Sequence, residues 1–160
     1  MHKKILGTLL IALALPAAAA DLVIGQVAPF SGPLAPTGSH LRAGAQLYID
    51  AVNAKGGIHG NKLRLLSKDD GYKAPDTVRL AKELIAEAQP IALFGIVGTG
   101  NVEAVLKERV LENAATPLIT VRTGASTVVN SGNPWIFMTR ASYAQEIDKI
   151  VQQYETIGYK

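Results

Sequence analysis

Short apolar runs alternate with amphipathic helical patterns along this chain, and this alternation restricts its fold more than any other feature. The apolar runs predict buried strands over residues 22–28, 62–68, 91–97, 118–121 and 135–139. Apolar residues at helical spacing predict helices over residues 39–54, 76–88, 102–115 and 142–157. Strands that alternate with helices form parallel sheets covered on both faces. The predicted fold is therefore α/β, with a doubly wound parallel sheet.

The third strand feeds its helix through a glycine-rich turn, Gly98-Thr99-Gly100-Asn101. Such a turn leaves unpaired backbone N–H groups at the helix N-terminus, where the helix dipole also favours an anion. The hydroxyl of Thr99 adds another polar group. The stretch predicts half of a pocket for a carboxylate or other anion. The alternative is an ordinary strand–helix turn in which the glycines only allow the backbone to turn tightly.

The first twenty residues have the three regions of a secretory signal peptide. Lys3 and Lys4 form a basic start, an apolar run follows over residues 5–15, and Ala18-Ala19-Ala20 provides a small-residue cleavage site. The apolar run is too short to span a bilayer as a helix. We therefore predict cleavage before Asp21 and a periplasmic location for the mature chain.

Charge and cysteine content exclude several classes of protein. Removal of residues 1–20 leaves 14 basic against 13 acidic residues, a balance that gives no reason to expect a nucleic-acid partner. The chain has no cysteine, so a disulfide framework, a thiolate zinc site and a lipid-anchored cysteine are excluded.

Motifs of catalysis and cofactor binding are missing from the sequence. It contains no G-x-G-x-x-G, no G-x-x-x-x-G-K-[ST] and no G-x-S-x-G. His40 and His59 are isolated, and neither has metal-site spacing. We therefore predict no cofactor, no metal and no enzymatic activity.

Polar and aromatic residues follow the carboxyl ends of the predicted strands, where open α/β sheets bind ligands. Arg122 comes directly after the fourth strand, next to Thr123 and Gly124, and could pair bidentately with a ligand carboxylate. The alternative is a solvated loop arginine. Tyr143, at the start of the last helix, either lines a cleft or packs. Asp70, after the second strand, is a weaker candidate for the pocket.

Four segments carry a family resemblance. Residues 27–70 have SGP after a strand, a helix that ends in N-A-K-G-G-I, then G-x-x-L and a final D-D. FGIVGTGNVEAV, PLITVRTGAS and IFMTRASYAQEI supply further landmarks. These segments resemble the periplasmic solute-binding proteins of the leucine/isoleucine/valine type, which are also known as type I periplasmic binding proteins.

The resemblance implies two α/β lobes that close on a small ligand and deliver it to the membrane permease of an ABC importer. Residues 21–139 would be an incomplete N-terminal lobe, and residues 140–160 the hinge crossing and the first helix of the second lobe. In this family, chain that returns after the second lobe completes the first. We therefore expect residues 21–160 alone to be marginally stable.

The resemblance also implies which residues hold the ligand. Thr99 after the third strand and Arg122, Thr123 and Gly124 after the fourth would hold its carboxylate, and Thr37 in the loop after the first strand would line the same pocket. From the helix N-terminus itself we add the N–H groups of Gly100 and Asn101, and from its position Tyr143. Two positions differ from branched-chain amino-acid binders: Arg122 replaces a small residue, and Thr37 replaces an aromatic one. The ligand class is therefore either an amino acid or another organic acid.

Two other functions fit the same fold. A sensory ligand-binding domain of a receptor would share the lobe, but the sequence shows no second apolar run of membrane length. A secreted α/β enzyme fragment would need the catalytic motifs that are missing.

Overall fold

The computed structural model describes residues 21–159, which form one parallel five-stranded sheet with flanking helices. The strands are β1 (Leu22–Ala28), β2 (Leu63–Asp69), β3 (Ala92–Phe94), β4 (Leu118–Ile119) and β5 (Ile136–Phe137). The helices are α1 (Ala35–Ala54), α2 (Ala74–Ala88), α3 (Thr99–Lys107), α4 (Val110–Ala114), α5 (Ser126–Val129) and α6 (Tyr143–Thr156). The predicted α/β fold and all five strands are confirmed.

The sheet order is β2-β1-β3-β4-β5, and every neighbouring pair is parallel. The order reverses direction at β1, because the chain moves from β1 to β2 on one side and then back across β1 to β3. In open α/β sheets a ligand crevice forms beyond the carboxyl ends of the strands at such a reversal.

One face of the sheet carries a closed apolar core. Side chains from α2, α3, α4 and the sheet pack together there with almost no exposure, among them Leu84, Leu93, Ile96, Leu111 and Leu118. Gly25 lets α2 approach β1 closely, because a Cβ at this position would lie 2.2 Å from the Leu84 Cδ2 atom. Burial of each such leucine contributes about 1.5–3 kcal/mol.

The opposite face of the sheet is covered at one end and exposed at the other. The strand registers place Gln26, Phe94, Ile119 and Phe137 in one row across this face. Gln26 is fully buried, Phe94 and Ile119 are half-buried, and Phe137 is 53% exposed. Helix α1 packs near β2, at the covered end of the row.

Helix α1 begins four residues before the predicted Ser39. Pro36 lies in its first turn, where proline is tolerated because its missing N–H would have no partner. Helical spacing predicts an apolar face formed by Leu41, Ala45, Tyr48 and Val52. This is wrong at Tyr48, which is 72% exposed, whereas Ile49 is buried.

Residues with positive φ shorten the predicted strands and divide one predicted helix. Strand β3 ends before Gly95 (φ 70°) and β4 ends before Thr120 (φ 56°), because left-handed backbone interrupts the ladder. The helix predicted up to Ala115 is broken at Arg109 (φ 51°) into α3 and α4. No pattern in the sequence predicts α5, which is a single helical turn within a segment rich in turn-forming residues.

The caps of α2 and α6 differ from one another. An acidic residue before an apolar run predicts Asp76 as the cap of α2, but Asp76 lies in the first turn and pairs with Arg79, and the N-cap residue is Lys73. Ser142 followed three residues later by Gln145 predicts a capping box for α6, which the structure confirms. The Ser142 hydroxyl accepts from the Gln145 N–H, and the Gln145 side chain accepts from the Ser142 N–H.

The predicted signal peptide, residues 1–20, lies outside the described part of the chain. Within residues 21–159 no helix combines the length and the apolar character needed to cross a bilayer.

Candidate ligand-binding site

The turn after β3 and the segment after β4 lie side by side at the carboxyl edge of the sheet. An isolated parallel bridge pairs Val97 with Arg122 beyond the ends of both strands. The Arg122 N–H donates to the Ile96 carbonyl (2.8 Å), and the Gly98 N–H donates to the Arg122 carbonyl (3.3 Å). The pairing thus brings two groups of predicted site residues together.

Two threonine hydroxyls meet at this edge. The Thr99 and Thr123 Oγ1 atoms are 2.7 Å apart, and either atom can be the donor. Thr123 is fully buried, and its hydroxyl also accepts from the Ala125 N–H (3.1 Å). A pair of hydroxyls carries two protons, of which their mutual bond uses one. The hydroxyl pair can therefore donate its second proton to an acceptor such as a carboxylate oxygen.

The N-terminus of α3 adds backbone donors beside the hydroxyl pair. The N-cap residue, Gly98, provides no side-chain cap, so the N–H groups of Thr99, Gly100 and Asn101 have no intrahelical partner. Space around Gly100 is open, because a Cβ there would meet no atom within 4 Å. The helix dipole favours negative charge at this end.

The side chain of Asn101 points into the protein. It is buried, and its amide donates to the Asp70 Oδ2 atom at 3.4 Å. Asn101 can therefore contribute to the helix N-terminus only through its backbone N–H, and its contact with a ligand stays a prediction.

Asp70 holds the loop after β2 in place. Its carboxylate is 1% exposed and accepts from the Thr77 hydroxyl (2.6 Å), the Tyr72 N–H (2.9 Å) and the Asn101 amide. These bonds join β2 to the first turns of α2 and α3. The weak expectation that Asp70 reaches the pocket is wrong, because its carboxylate already has partners inside the protein.

Tyr72, which is not among the predicted site residues, lies at the same edge. Its backbone is left-handed (φ 63°), and its ring covers Gly98, where a Cβ would lie 2.5 Å from the Tyr72 Cε2 atom. The side chain remains 46% exposed. No local sequence signal marked the contact, because it depends on how the loop after β2 meets the turn after β3.

Tyr143 contacts Gly124 at the other side of the hydroxyl pair. The Tyr143 N–H donates to the Gly124 carbonyl (2.8 Å), and a Cβ at Gly124 would lie 2.9 Å from the Tyr143 Cδ1 atom. The Gly124 N–H and then the Thr123 hydroxyl hold the pKa of the Tyr143 phenol below its ordinary value, with help from the charges of Arg140 and Arg122.

Two arginines influence Tyr143 by their charge, and their partners differ. The Arg140 guanidinium carbon is 5.0 Å from the ring centroid, and Arg140 also forms an ion pair with Glu146. Arg122 is exposed, and no salt bridge to Arg122 occurs within residues 21–159. Its charge is therefore available to an anionic group from outside.

Thr37 is not in a loop, in contrast to the prediction. It lies in the first turn of α1, and it is half-buried. Gly38 packs against the Pro29 carbonyl oxygen, which lies 2.0 Å from where a Cβ would stand. Among the described residues no hydrogen bond joins Thr37 to the hydroxyl pair. Its role as a ligand contact stays a prediction.

Asp69 fixes the loop after β1. Its Oδ1 atom accepts from the N–H groups of Phe30 (2.8 Å) and Gly71 (2.9 Å). Partial burial raises the pKa of this carboxyl, but the hydrogen bonds from Phe30, Gly71 and Ser31 lower it by more, so the net pKa is below the ordinary value. The last residue of β2 thus ties the loop after β1 to the loop after β2.

No group of three or more histidine or acidic side chains in residues 21–159 could hold a metal ion. The arrangement at this edge of the sheet is instead one of hydroxyls, helix N–H groups, arginines and tyrosine rings. It can bind an anionic group and present aromatic surface beside it.

Known proteins match this chain over its described length. Residues 21–159 match the model of the family described as periplasmic binding protein. The Leu/Ile/Val-binding protein homolog 7 of Brucella suis biovar 1 is 29% identical over 139 residues, which are 85% of this chain and 34% of that protein.

Solved structures of periplasmic and solute-binding proteins are also similar to this chain. A substrate-binding periplasmic protein from Ralstonia solanacearum is 44% identical with a TM-score of 0.81, covering 86% of this chain and 38% of that one. A solute binding protein of an ABC transporter from Rhodopseudomonas palustris BisB5, in complex with 3,4-dihydroxy benzoic acid, is 26% identical with a TM-score of 0.74, covering 87% and 37%.

The chain spans about a third of the length of the relatives that it matches. Its sheet order and flanking helices correspond to the N-terminal lobe of type I periplasmic binding proteins. The family model, the curated relatives and the solved structures agree with the resemblance carried by the sequence motifs. The chain therefore belongs to the periplasmic binding proteins of the leucine/isoleucine/valine-binding family.

Proposed function

We propose that this chain is the N-terminal lobe of an extracytoplasmic substrate-binding protein of an ABC importer, which captures a small carboxylate-bearing solute between two lobes. The observation that carries the proposal is the Thr99–Thr123 hydroxyl pair at the N-terminus of α3. Arg122, the exposed residue that precedes Thr123, supplies the positive charge of the proposed site. Hydroxyl donors, helix N–H groups and a guanidinium are all suited to a carboxylate.

The relatives support a carboxylate without deciding which one. Leucine, isoleucine and valine carry a carboxylate, and so does the 3,4-dihydroxy benzoic acid bound to the Rhodopseudomonas protein. The shared chemistry is the acid group, which we assign to Thr99, Thr123 and the N–H groups of Gly100 and Asn101. Arg122 adds a charged contact. Gly124, Tyr143 and Thr37 line the same pocket.

The remaining parts of the proposal concern the rest of the protein. Residues 1–20 act as a cleaved export signal, and the mature protein works in the periplasm with a membrane permease of the importer. Residues 21–139 form the lobe, and residues 140–160 cross to the second lobe. The protein binds its solute without converting it chemically.

Isothermal calorimetry on the full-length protein tests the binding function. The ligands are isoleucine, succinate and benzoate, with glucose as a neutral comparison. At least one acid is expected to bind. Arg122→Ala should then weaken binding at least tenfold, or ~1.4 kcal/mol, because a charge pair in a closed cleft is costly to lose. Thr99→Ala should cost about 1 kcal/mol, as expected for one neutral hydrogen bond.

Arg64→Ala is the matched control, because Arg64 is also exposed but lies near the amino end of β2. An unchanged affinity in Arg122→Ala would return that arginine to the solvated surface. Binding of glucose but of none of the acids would overturn the proposed carboxylate site.

A further inference from the structure

Two tyrosine rings flank the hydroxyl pair, and each rests on a glycine next to one of the two threonines. Tyr72 covers Gly98, which precedes Thr99, and Tyr143 covers Gly124, which follows Thr123. Neither glycine could carry a side chain, because a Cβ would lie 2.5 Å from the Tyr72 ring or 2.9 Å from the Tyr143 ring. Each threonine of the hydroxyl pair is therefore next to a glycine that a tyrosine ring covers.

The two rings cover neighbouring segments of the chain. The Val97–Arg122 bridge sets the segments that contain the glycines at the distance of neighbouring strands, about 4.8 Å. The Thr99–Thr123 hydrogen bond then joins the residues beside the glycines. A group bound at the hydroxyl pair is therefore next to the glycine that each tyrosine ring covers.

Both rings keep surface free for another molecule. Tyr72 is 46% exposed and Tyr143 is 42% exposed, although each contacts the backbone of a neighbouring segment. Phenol rings offer a flat apolar surface that stacks well against another aromatic ring. The free surface at this edge is therefore suited to a planar apolar group next to an acid.

The position of Tyr72 is held from inside the protein at a cost. Its left-handed backbone (φ 63°) is unfavourable for a residue with a Cβ, and such conformations persist only where the surroundings enforce them. Here the buried Asp70 carboxylate accepts from the Tyr72 N–H, and Thr77 and Asn101 hold that carboxylate. The buried hydrogen bonds thus hold Tyr72 in an unfavourable backbone conformation that places its ring over the turn before α3.

We propose that Tyr72 is a ligand-contacting residue which, together with Tyr143, selects carboxylates that carry an aromatic ring over saturated ones. This inference rests on the proposed function, because it assumes that the hydroxyl pair binds the acid group. It assigns the ring of the ligand to the space beside Tyr72.

The test compares two acids in the full-length protein by calorimetry: benzoate, and cyclohexanecarboxylate, which has a saturated ring of similar size. The wild type should bind benzoate about fivefold more tightly, as expected from aromatic stacking. Tyr72→Leu should bring the ratio of the two dissociation constants close to one. Tyr72→Phe, which keeps the ring, should preserve the preference for benzoate.

Tyr48→Leu is the matched control, because Tyr48 is exposed on α1 and contributes no ring to the hydroxyl pair. Thermal unfolding of each variant shows that it is folded. A purely structural Tyr72 would weaken both acids equally in Tyr72→Leu and leave their ratio unchanged, which would overturn the inference.

The two proposals fail in different ways. If the wild type binds isoleucine or cyclohexanecarboxylate but shows no preference for benzoate, the aromatic inference is wrong and the carboxylate-binding function stands. If the wild type binds no carboxylate at all, both proposals are wrong.

Discussion

Helices α2 and α6 carry the same kind of apolar stripe, but only one of them is packed. In α2, Leu80, Ala81 and Leu84 are buried against the sheet and α3. In α6 no residue is buried, and the stripe is between 49% and 59% exposed: Ile147, Ile150, Val151, Tyr154 and Ile157. An amphipathic pattern therefore shows which side of a helix is apolar, but not what covers it.

The two helices also differ in how they begin. Helix α6 has a complete capping box at Ser142, whereas the N-cap of α2, Lys73, makes no side-chain cap bond. Short helices are marginal in water unless packing or capping stabilises them. Helix α2 depends on tertiary packing, and α6 depends on local hydrogen bonds within the part of the chain that the structure describes.

The largest expected difference comes from truncating one apolar residue in each helix. In residues 21–160, Leu84→Ala should lower the free energy of unfolding by about 2–5 kcal/mol, because it leaves a cavity in the core. Ile150→Ala should change it by less than about 0.5 kcal/mol, because Ile150 is 55% exposed. Urea unfolding followed by circular dichroism measures both.

Binding of a hydrophobic dye tests the same comparison through the exposed apolar stripe of α6. An exposed apolar stripe should bind a hydrophobic dye, and Ile150→Asp should reduce the signal. Equal losses of stability in Leu84→Ala and Ile150→Ala would show instead that α6 is packed in solution. A sharp cooperative melt without dye binding would contradict the expected marginal stability of residues 21–160.

A smaller effect is expected from the cap of α6. Ser142→Ala should cost about 1 kcal/mol of helix stability, because the Gln145 N–H loses its acceptor. The loss should be local, so faster hydrogen exchange in the first turn of α6 is expected with little change in global unfolding. Ser126→Ala is the control, because Ser126 is exposed and does not cap α5. A fall in global stability as large as that of Leu84→Ala would contradict a local role.

The smallest expected effect is a dependence of stability on acid pH, which arises from the Asp69 carboxylate at the end of β2. Because hydrogen bonds hold the pKa of Asp69 below its ordinary value, they stabilise the fold above the unfolded pKa, and this stability is lost as the pH falls through the folded pKa. Asp69→Asn should therefore differ most from the wild type near neutral pH and least below about pH 4.

Thermal melts across this pH range measure the Asp69 effect, with Asp148→Asn on the exposed face of α6 as the control. A difference between wild type and Asp69→Asn that is the same at every pH would mean that ionisation of Asp69 contributes nothing.

The candidate site shows which of its features residue patterns predict and which they do not. The glycine turn after β3 and the hydroxyl of Thr99 were recognisable, because a strand, two glycines and a helical pattern follow one another locally. No local pattern indicates Tyr72, because its contact with Gly98 joins two loops that follow different strands. The sequence predicts a loop at Thr37, because Pro36 is typical of a break in secondary structure, although the first turn of a helix tolerates proline.

The sequence by itself determined the order of strands and helices, the α/β class, the α6 cap and the family, because each depends on local periodicity or on a motif. Only the tertiary structure decided where the elements end, since residues such as Thr120 and Arg109 adopt left-handed backbone that no pattern announced. It also decided which of two similar apolar stripes is buried. Burial is a property of the partner surface, and the sequence of one helix does not contain that surface.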